Sequence, residues 1–277
     1  MKPLWLIFLL VISVKVGLAQ AQLGTQLAYA ESLFAQEKYF DAITEAKRVA
    51  FFDSTEQYVF EVNSLIADSY KNGGKLSEAV QYYTKAEMSA NTADELFATK
   101  IKIIKINILR RAFYLANHQL DELEKDSRFA SDSSTLQYWR GWNDLFHDDW
   151  QNAAARFGKI DSAAALKNIC QEVQKKKYSV SFAKGLSIIF PGAGQIYTGN
   201  YVSGVLSLGW NVLFGYLTVQ AFSAERVFDG VVIGAMLWLR FYNGNLSNAA
   251  KFAEEKNSML YNETLDYLQK NYQGNKP

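Results

Sequence analysis

The sequence predicts an all-α protein: antiparallel helix pairs stacked as a solenoid, then a transmembrane helical hairpin, then a C-terminal amphipathic helix. Three observations predict it. Only 3 prolines occur among 277 residues, too few for the many turns of a β fold. Apolar positions recur at spacings of three and four through residues 22–177, the period of an amphipathic helix. Residues 201–224 carry no charge, a run longer than the roughly 20 residues that cross a bilayer.

Composition removes several function classes. With 29 basic and 28 acidic residues the net charge is +1, which argues against nucleic-acid binding by bulk electrostatics. An apolar content of 49% argues against disorder. One cysteine excludes an internal disulfide framework and a multi-Cys zinc site. The two histidines, His118 and His147, sit in different helical segments without ligand spacing. No catalytic residue, metal or cofactor is expected.

Residues 1–21 read as a secretory signal. Lys2 starts it, an apolar run fills residues 4–14, and Ala19-Gln20-Ala21 offers a small-x-small cleavage site. Lys15 at the end of the run leaves an uncleaved anchor as the alternative. Either way the following segment lies outside the cytoplasm. Cys170, alone, needs no partner there.

Residues 22–177 form the expected helical-repeat domain. Ala30, Ala42 and Ala46 align with Ala67, Ala79 and Tyr83 at a shift of 37 residues. A third match places Gly141 twelve before Ala153, with Phe157 four after it. Small residues on both helices of a pair permit close approach near a short turn, and the aromatic fills the gap to the next unit. Residues 94–128 are helical but fit the pattern poorly. These residues resemble tetratricopeptide repeats, helix-turn-helix units of about 34 residues. The spacing is longer than that family's, and Asp144 stands where a large apolar residue is usual. A plain irregular helical array is the alternative. The resemblance implies a groove for other proteins, lined by the first helix of each pair, with Glu31, Phe34, Asp68 and Lys71 as candidates. A solvated surface role is the competing reading for each.

Residues 178–257 form the expected membrane-hairpin domain. After the uncharged run come Glu225-Arg226 and a second apolar run, residues 227–246, interrupted by Asp229 and Arg240. A buried hairpin of a soluble domain is the alternative. Gly230 and Gly234 form a small-xxx-small pair that lets two helices approach. A turn centred near Arg226 sets Asn211 level with Arg240, so Asn211 is expected to help solvate the guanidinium; the alternative is Arg240 reaching to the interface beside Tyr242. Two spans after a secreted domain would keep Lys175–Lys177 and Lys184 out of the cytoplasm, against the positive-inside tendency. Pro191 and Gly192 break any third span, so a re-entrant or interfacial segment is expected there. The sequence leaves the topology open.

Residues 185–201 read GLSIIFPGAGQIYTGNY, and residues 241–257 read FYNGNLSNAAKFAEEKN. The pair resembles bacterial TM2-like and related membrane-hairpin families, whose signature is Pro-Gly-x-Gly-Gln-x-Tyr-x-Gly. Pro191, Gly192, Gly194, Gln195, Tyr197 and Gly199 match it. The resemblance implies a bacterial membrane and supplies no catalytic residue; the expected location is the bacterial cell membrane, the inner one. Nucleotide binding is not expected. The GxG at Gly192–Gly194 has Tyr197 where the third glycine belongs. The GxxxxG ending at Gly199 is followed by Asn200-Tyr201, not Lys-Ser. The glycines instead let a tight loop sit against the spans, with Tyr197, Tyr201 and Trp210 near the head groups. The tail, residues 258–277, completes an amphipathic helix with Phe252, Met259, Leu260, Leu265 and Leu268, suited to docking on protein or bilayer.

The expected protein is thus a scaffold or adaptor of the bacterial envelope. Its repeats lie outside the cytoplasm, and its partners are other proteins and the lipid bilayer, with no nucleic acid and no nucleotide. A subunit of a transport or membrane-protein insertion machine is the alternative, with Asn211, Asp229 and Arg240 as the active part.

Overall fold

A computed structural model describes residues 22–277; the expected leader at residues 1–21 lies outside them. Helix makes up 83% of the structure, and no strand occurs among the described residues. The chain divides into two compact units, one ending at Lys167 and the other beginning at Asn168.

The first unit contains α1 (residues 22–35), α2 (Tyr39–Phe52), α3 (Val59–Asn72), α4 (Leu76–Met88), α5 (Ala93–Leu109), α6 (Phe113–Lys125), α7 (Ser133–Phe146) and α8 (Trp150–Phe157). From α2 onward each helix packs on the next. Local chemistry starts several of them. Thr92 and Glu95 form a reciprocal capping box on α5. The Asp149 carboxylate accepts from the Asn152 amide at 3.1 Å to open α8.

One turn recurs every 37 residues. The amides of Lys38, Lys75, Ala112 and Asp149 donate to the carbonyls of Leu33, Tyr70, Asn107 and Asp144, at 3.0, 2.8, 2.8 and 2.9 Å. The residue before each donor is left-handed: Glu37, Gly74, Arg111 and Asp148, with φ of 60, 75, 57 and 64°. This is the bonding of a helix C-terminus closed by a left-handed residue, used four times at one interval.

The packing follows the same interval. Ala30, Ala67, Ile104 and Gly141 are buried, as are Ala42, Ala79, Ala116 and Ala153. Ala46, Tyr83, Leu120 and Phe157, four further on, are also buried. A Cβ on Gly141 would stand 2.7 Å from the Phe157 ring, so only glycine admits that ring. Residues 94–128, the stretch that fits the sequence pattern poorly, therefore take the same geometry as the others in α5 and α6. Ile104 simply replaces the small residue there. Each large apolar side chain fully buried in this way, Trp142 and Trp150 among them, contributes roughly 1.5–3 kcal/mol.

Asp144, out of place as a core residue, has a partner: Arg156 of α8 donates to its carboxylate. Burial holds the Asp144 carboxyl above the ordinary carboxylate range, and the guanidinium works against that rise.

The second unit contains most of α9 (Ala164–Lys176), then α10 (Val180–Ile189), α11 (Ala193–Tyr197), α12 (Tyr201–Ser223), α13 (Val227–Val232), a π-helical turn (Ile233–Trp238) and α14 (Leu239–Asn271). Cys170 is buried in α9, and burial pushes its thiol up to about 12, out of reach of ordinary thiolate chemistry. Pro191 ends α10, and Phe190 before it is extended, with φ −129° and ψ 104°.

Among the described residues one helix, α12, is long and apolar enough to cross a membrane. Much of its apolar surface is exposed, including Val202, Val205, Val212 and Tyr216. The second apolar run is not one continuous α-helix, being split by the π-helical turn. It runs antiparallel to α12: Gly230 faces Phe222, Gly234 faces Thr218, and Gly215 faces Trp238. Further along, Phe241 stacks on Trp210 and Phe214 at ring separations of 5.4 and 5.0 Å. Helix α14 continues unbroken into the tail as far as Asn271.

Candidate functional site

In the first unit, residues on the first helices of the pairs converge. Asp68 on α3 accepts hydrogen bonds from the Tyr83 hydroxyl and, at 3.0 Å, from the Lys102 ammonium of α5. Lys102 also lies over the Tyr83 ring, and Lys105 lies 4.9 Å from the Trp139 ring of α7. Of the expected groove residues, Glu31 is exposed, and Phe34 turns half-buried toward the core beside Tyr39, ring to ring at 5.7 Å. Asp68 and Lys71 join the cluster. Sequence reasoning missed Lys102, Lys105 and Trp139. The signal was available: Lys105 stands 37 residues after Asp68, and Asp68 stands 37 after Glu31, so all three share one helical position.

Lys105 is the perturbed group of this cluster. Burial, and then the charges of Lys71 and Lys102, bring its pKa down to about 8. The Trp139 face favours the ammonium and limits the fall. Because the folded chain prefers the neutral amine, stability rises with pH from about 8 to the ordinary lysine value of 10.5 and is lowest below that window. Lys105→Met is expected to stabilise the chain at neutral pH by about 1 kcal/mol, a figure discounted for partial exposure. The gain should shrink as pH climbs through the window, read as Tm differences at several pH values.

In the second unit, the Pro-Gly motif folds around Asn245 of α14. The Asn245 Oδ1 accepts from the Gly192 amide at 2.8 Å, from Gln195 Nε2 at 3.1 Å and from Ser207 Oγ at 3.0 Å. Its Nδ2 donates to the Ser187 carbonyl at 2.9 Å. Ser187 Oγ donates to Gln195 and accepts from the Gly194 amide. Ser187, Gln195, Thr198 and Asn245 are all buried, so the cluster is a closed polar knot with its donors matched.

Three turns along α14, Asn257 clasps the Tyr178 backbone in the same manner, at 2.8 and 2.9 Å. Tyr197 packs inward between Tyr178 and Phe182 and accepts from the Ser179 amide. Gly194 is confined on all sides: a Cβ there would collide with the Ala183 carbonyl and stand 2.7 Å from Ala249 Cβ. Gly199 is left-handed in a turn closed by Asn200 N to Gln195 O at 2.8 Å. Pro191 stops the preceding helix. The motif positions thus act on backbone geometry, while Asn245, Asn257 and Ser187, which sequence reasoning did not single out, hold the loop. The visible signal was the asparagine-rich run of residues 243–248.

The expected bond between Asn211 and Arg240 is not formed. Asn211 is buried and donates to the Ser207 carbonyl of its own helix at 2.8 Å. Its Oδ1 has no hydrogen-bond partner among the described residues. Arg240 is exposed and makes no hydrogen bond or ion pair among them. The turn register does place the two at one level, as the Trp210–Phe241 stack requires. The helical phase separates them. Arg240 instead borders an open groove of about 830 Å³ with Trp210, Phe241, Gly244 and Asn248.

Comparison of the chain with protein-family models, with curated proteins and with solved structures finds no match.

Proposed function

We propose that the chain is a membrane-anchored scaffold or adaptor that binds other proteins through a tetratricopeptide-like solenoid. The observation that carries this reading is the fourfold recurrence, every 37 residues, of one turn and one buried set. Stacked pairs of that kind leave the first helices free to form an elongated binding face. The charged and aromatic side chains of Asp68, Lys71, Lys102, Lys105 and Trp139 supply such a face. Helix α12, with its apolar exposed surface, and the antiparallel run after it form the anchoring hairpin. In this reading the solenoid lies outside the cytoplasm of a bacterial cell, the hairpin sits in the inner membrane, and the work is binding, not catalysis.

The test has two arms. Alkaline carbonate washing of membranes should leave the full-length chain in the pellet. A photo-crosslinker at Lys71 should capture a discrete protein, and Lys102→Glu with Lys105→Glu should abolish the capture. Release into the supernatant, or capture indifferent to the charge reversal, overturns the proposal.

A second reading, a subunit of a transport or membrane-protein insertion machine, is favoured by one observation: the unpaired Arg240 at a groove in the membrane segment. Loss of function on Arg240 replacement, with tolerance of groove changes in the solenoid, favours that reading; the reverse pattern favours the scaffold.

A further inference from the structure

The groove between α12 and α14 has the amphiphilic make-up of a lipid site. One wall is apolar, formed by Leu206, Trp210 and Phe241. The other is polar: Arg240, Gly244 and Asn248 are spaced by four and share one face of α14. Gly244 leaves a gap in that face, since a Cβ there would meet nothing within 4 Å. The gap leads from the guanidinium to Asn248, on the side of the Pro-Gly loop and away from the turn at Glu225-Arg226.

Arg240 is opposite the middle of α12, as its neighbour Phe241 stacks on Trp210 and Phe214. If α12 crosses a bilayer, an unpartnered guanidinium at that depth costs roughly 2.5–3.5 kcal/mol on insertion scales. The chain supplies it no hydrogen bond or ion pair among the described residues. An anion entering from outside would offset that cost, and one with an apolar body matches both walls.

We propose that this groove binds an anionic phospholipid entering from the Tyr201 end of α12, with its phosphate headgroup over the open step at Gly244 and beside Asn248, where the Arg240 side chain reaches up to it, and its acyl chains running from there along Trp210 and Phe241 toward the middle of the helix. The assignment rests on the membrane reading above. A charge-assisted guanidinium–phosphate contact supplies the affinity, and the apolar wall selects a lipid over a free ion. At about 830 Å³ the groove is far larger than a bare phosphate needs.

The full-length chain, reconstituted in phosphatidylcholine vesicles with or without phosphatidylglycerol and re-extracted in detergent, should retain phosphatidylglycerol preferentially when examined by native mass spectrometry. Arg240→Gln should lower retention about tenfold, the equivalent of one lost charge-assisted bond. Arg226→Gln, at the exposed turn, should leave it unchanged. Gly244→Leu puts bulk into the groove from a position where an added Cβ meets nothing within 4 Å and should also abolish retention, which covers the case in which the arginine variant fails to fold. Excess inorganic phosphate should not displace the lipid; displacement would reassign the site to a free anion and overturn the lipid assignment. Equal retention by wild type and Arg240→Gln, or no preference for phosphatidylglycerol, overturns it outright. If carbonate releases the chain from the vesicles, the membrane reading falls and this one falls with it. If the chain stays inserted without lipid preference, only this one falls.

Discussion

Asn245→Leu is expected to destabilise the second unit by on the order of 4 kcal/mol. The asparagine accepts from Gly192, Gln195 and Ser207 and donates to Ser187. Leucine has a similar volume but removes every one of those partners. Ser187 and Gln195 are fully buried, so their freed groups cannot turn to water, and each orphan costs roughly 1–3 kcal/mol. Protease sensitivity around Pro191 and the Tm of the full-length chain report the loss. Asn248→Leu, three residues on and exposed, should move Tm by little, within about 0.5 kcal/mol. Similar stability of the two variants would mean that the knot does not hold the loop.

Gly192→Ala should cost on the order of 3 kcal/mol, more than a change of one methyl suggests. Gly192 is left-handed, with φ 93° and ψ −17°, and a Cβ would collide with the Gly204 carbonyl of α12. Gly199 separates the two causes. Its φ of 81° is equally unfavourable for alanine, yet nothing lies within 4 Å of its would-be Cβ. Gly199→Ala should therefore lose only the conformational part, about 1 kcal/mol. Chemical or thermal melts of the pair measure the difference, which is the cost of the close approach between the loop and α12. Equal losses at both positions would remove the steric argument.

The helical class was readable because its signals are local: apolar spacing, few prolines, capping residues. The 37-residue interval was readable wherever small residues marked it, as at Ala67 and Ala79. It was lost at Ile104, where a larger side chain takes the same buried place. Backbone geometry, which repeats there without change, leaves no mark in residue type, since Glu37, Arg111 and Asp148 all occupy the left-handed corner that only Gly74 advertises. Asp144 looked like a misfit because its partner Arg156 belongs to the next helix. The Asn245 knot was hidden for a related reason: 50 residues separate it from Gln195, and no local pattern joins an asparagine on one helix to a backbone amide on a distant loop. Arg240 was seen, but its orientation depends on helical phase, which the turn register alone does not set.

That phase is the business of the π-helical turn at Ile233–Trp238. The positions meeting α12 and the loop are Gly230, Gly234, Trp238, Phe241, Asn245 and Ala249, mostly four apart. In a straight α-helix, at 3.6 residues per turn, steps of four creep about 40° round the axis each time. Over the fifteen residues from Gly230 to Asn245 the net creep would be about 60°, carrying the asparagine toward the edge of the seam. The wider winding of six residues takes up the creep, much as a leap day realigns a calendar. Shortening residues 233–238 by one would swing the distal rod about a quarter turn, aiming the amide that now threads the Pro-Gly corner into empty surroundings.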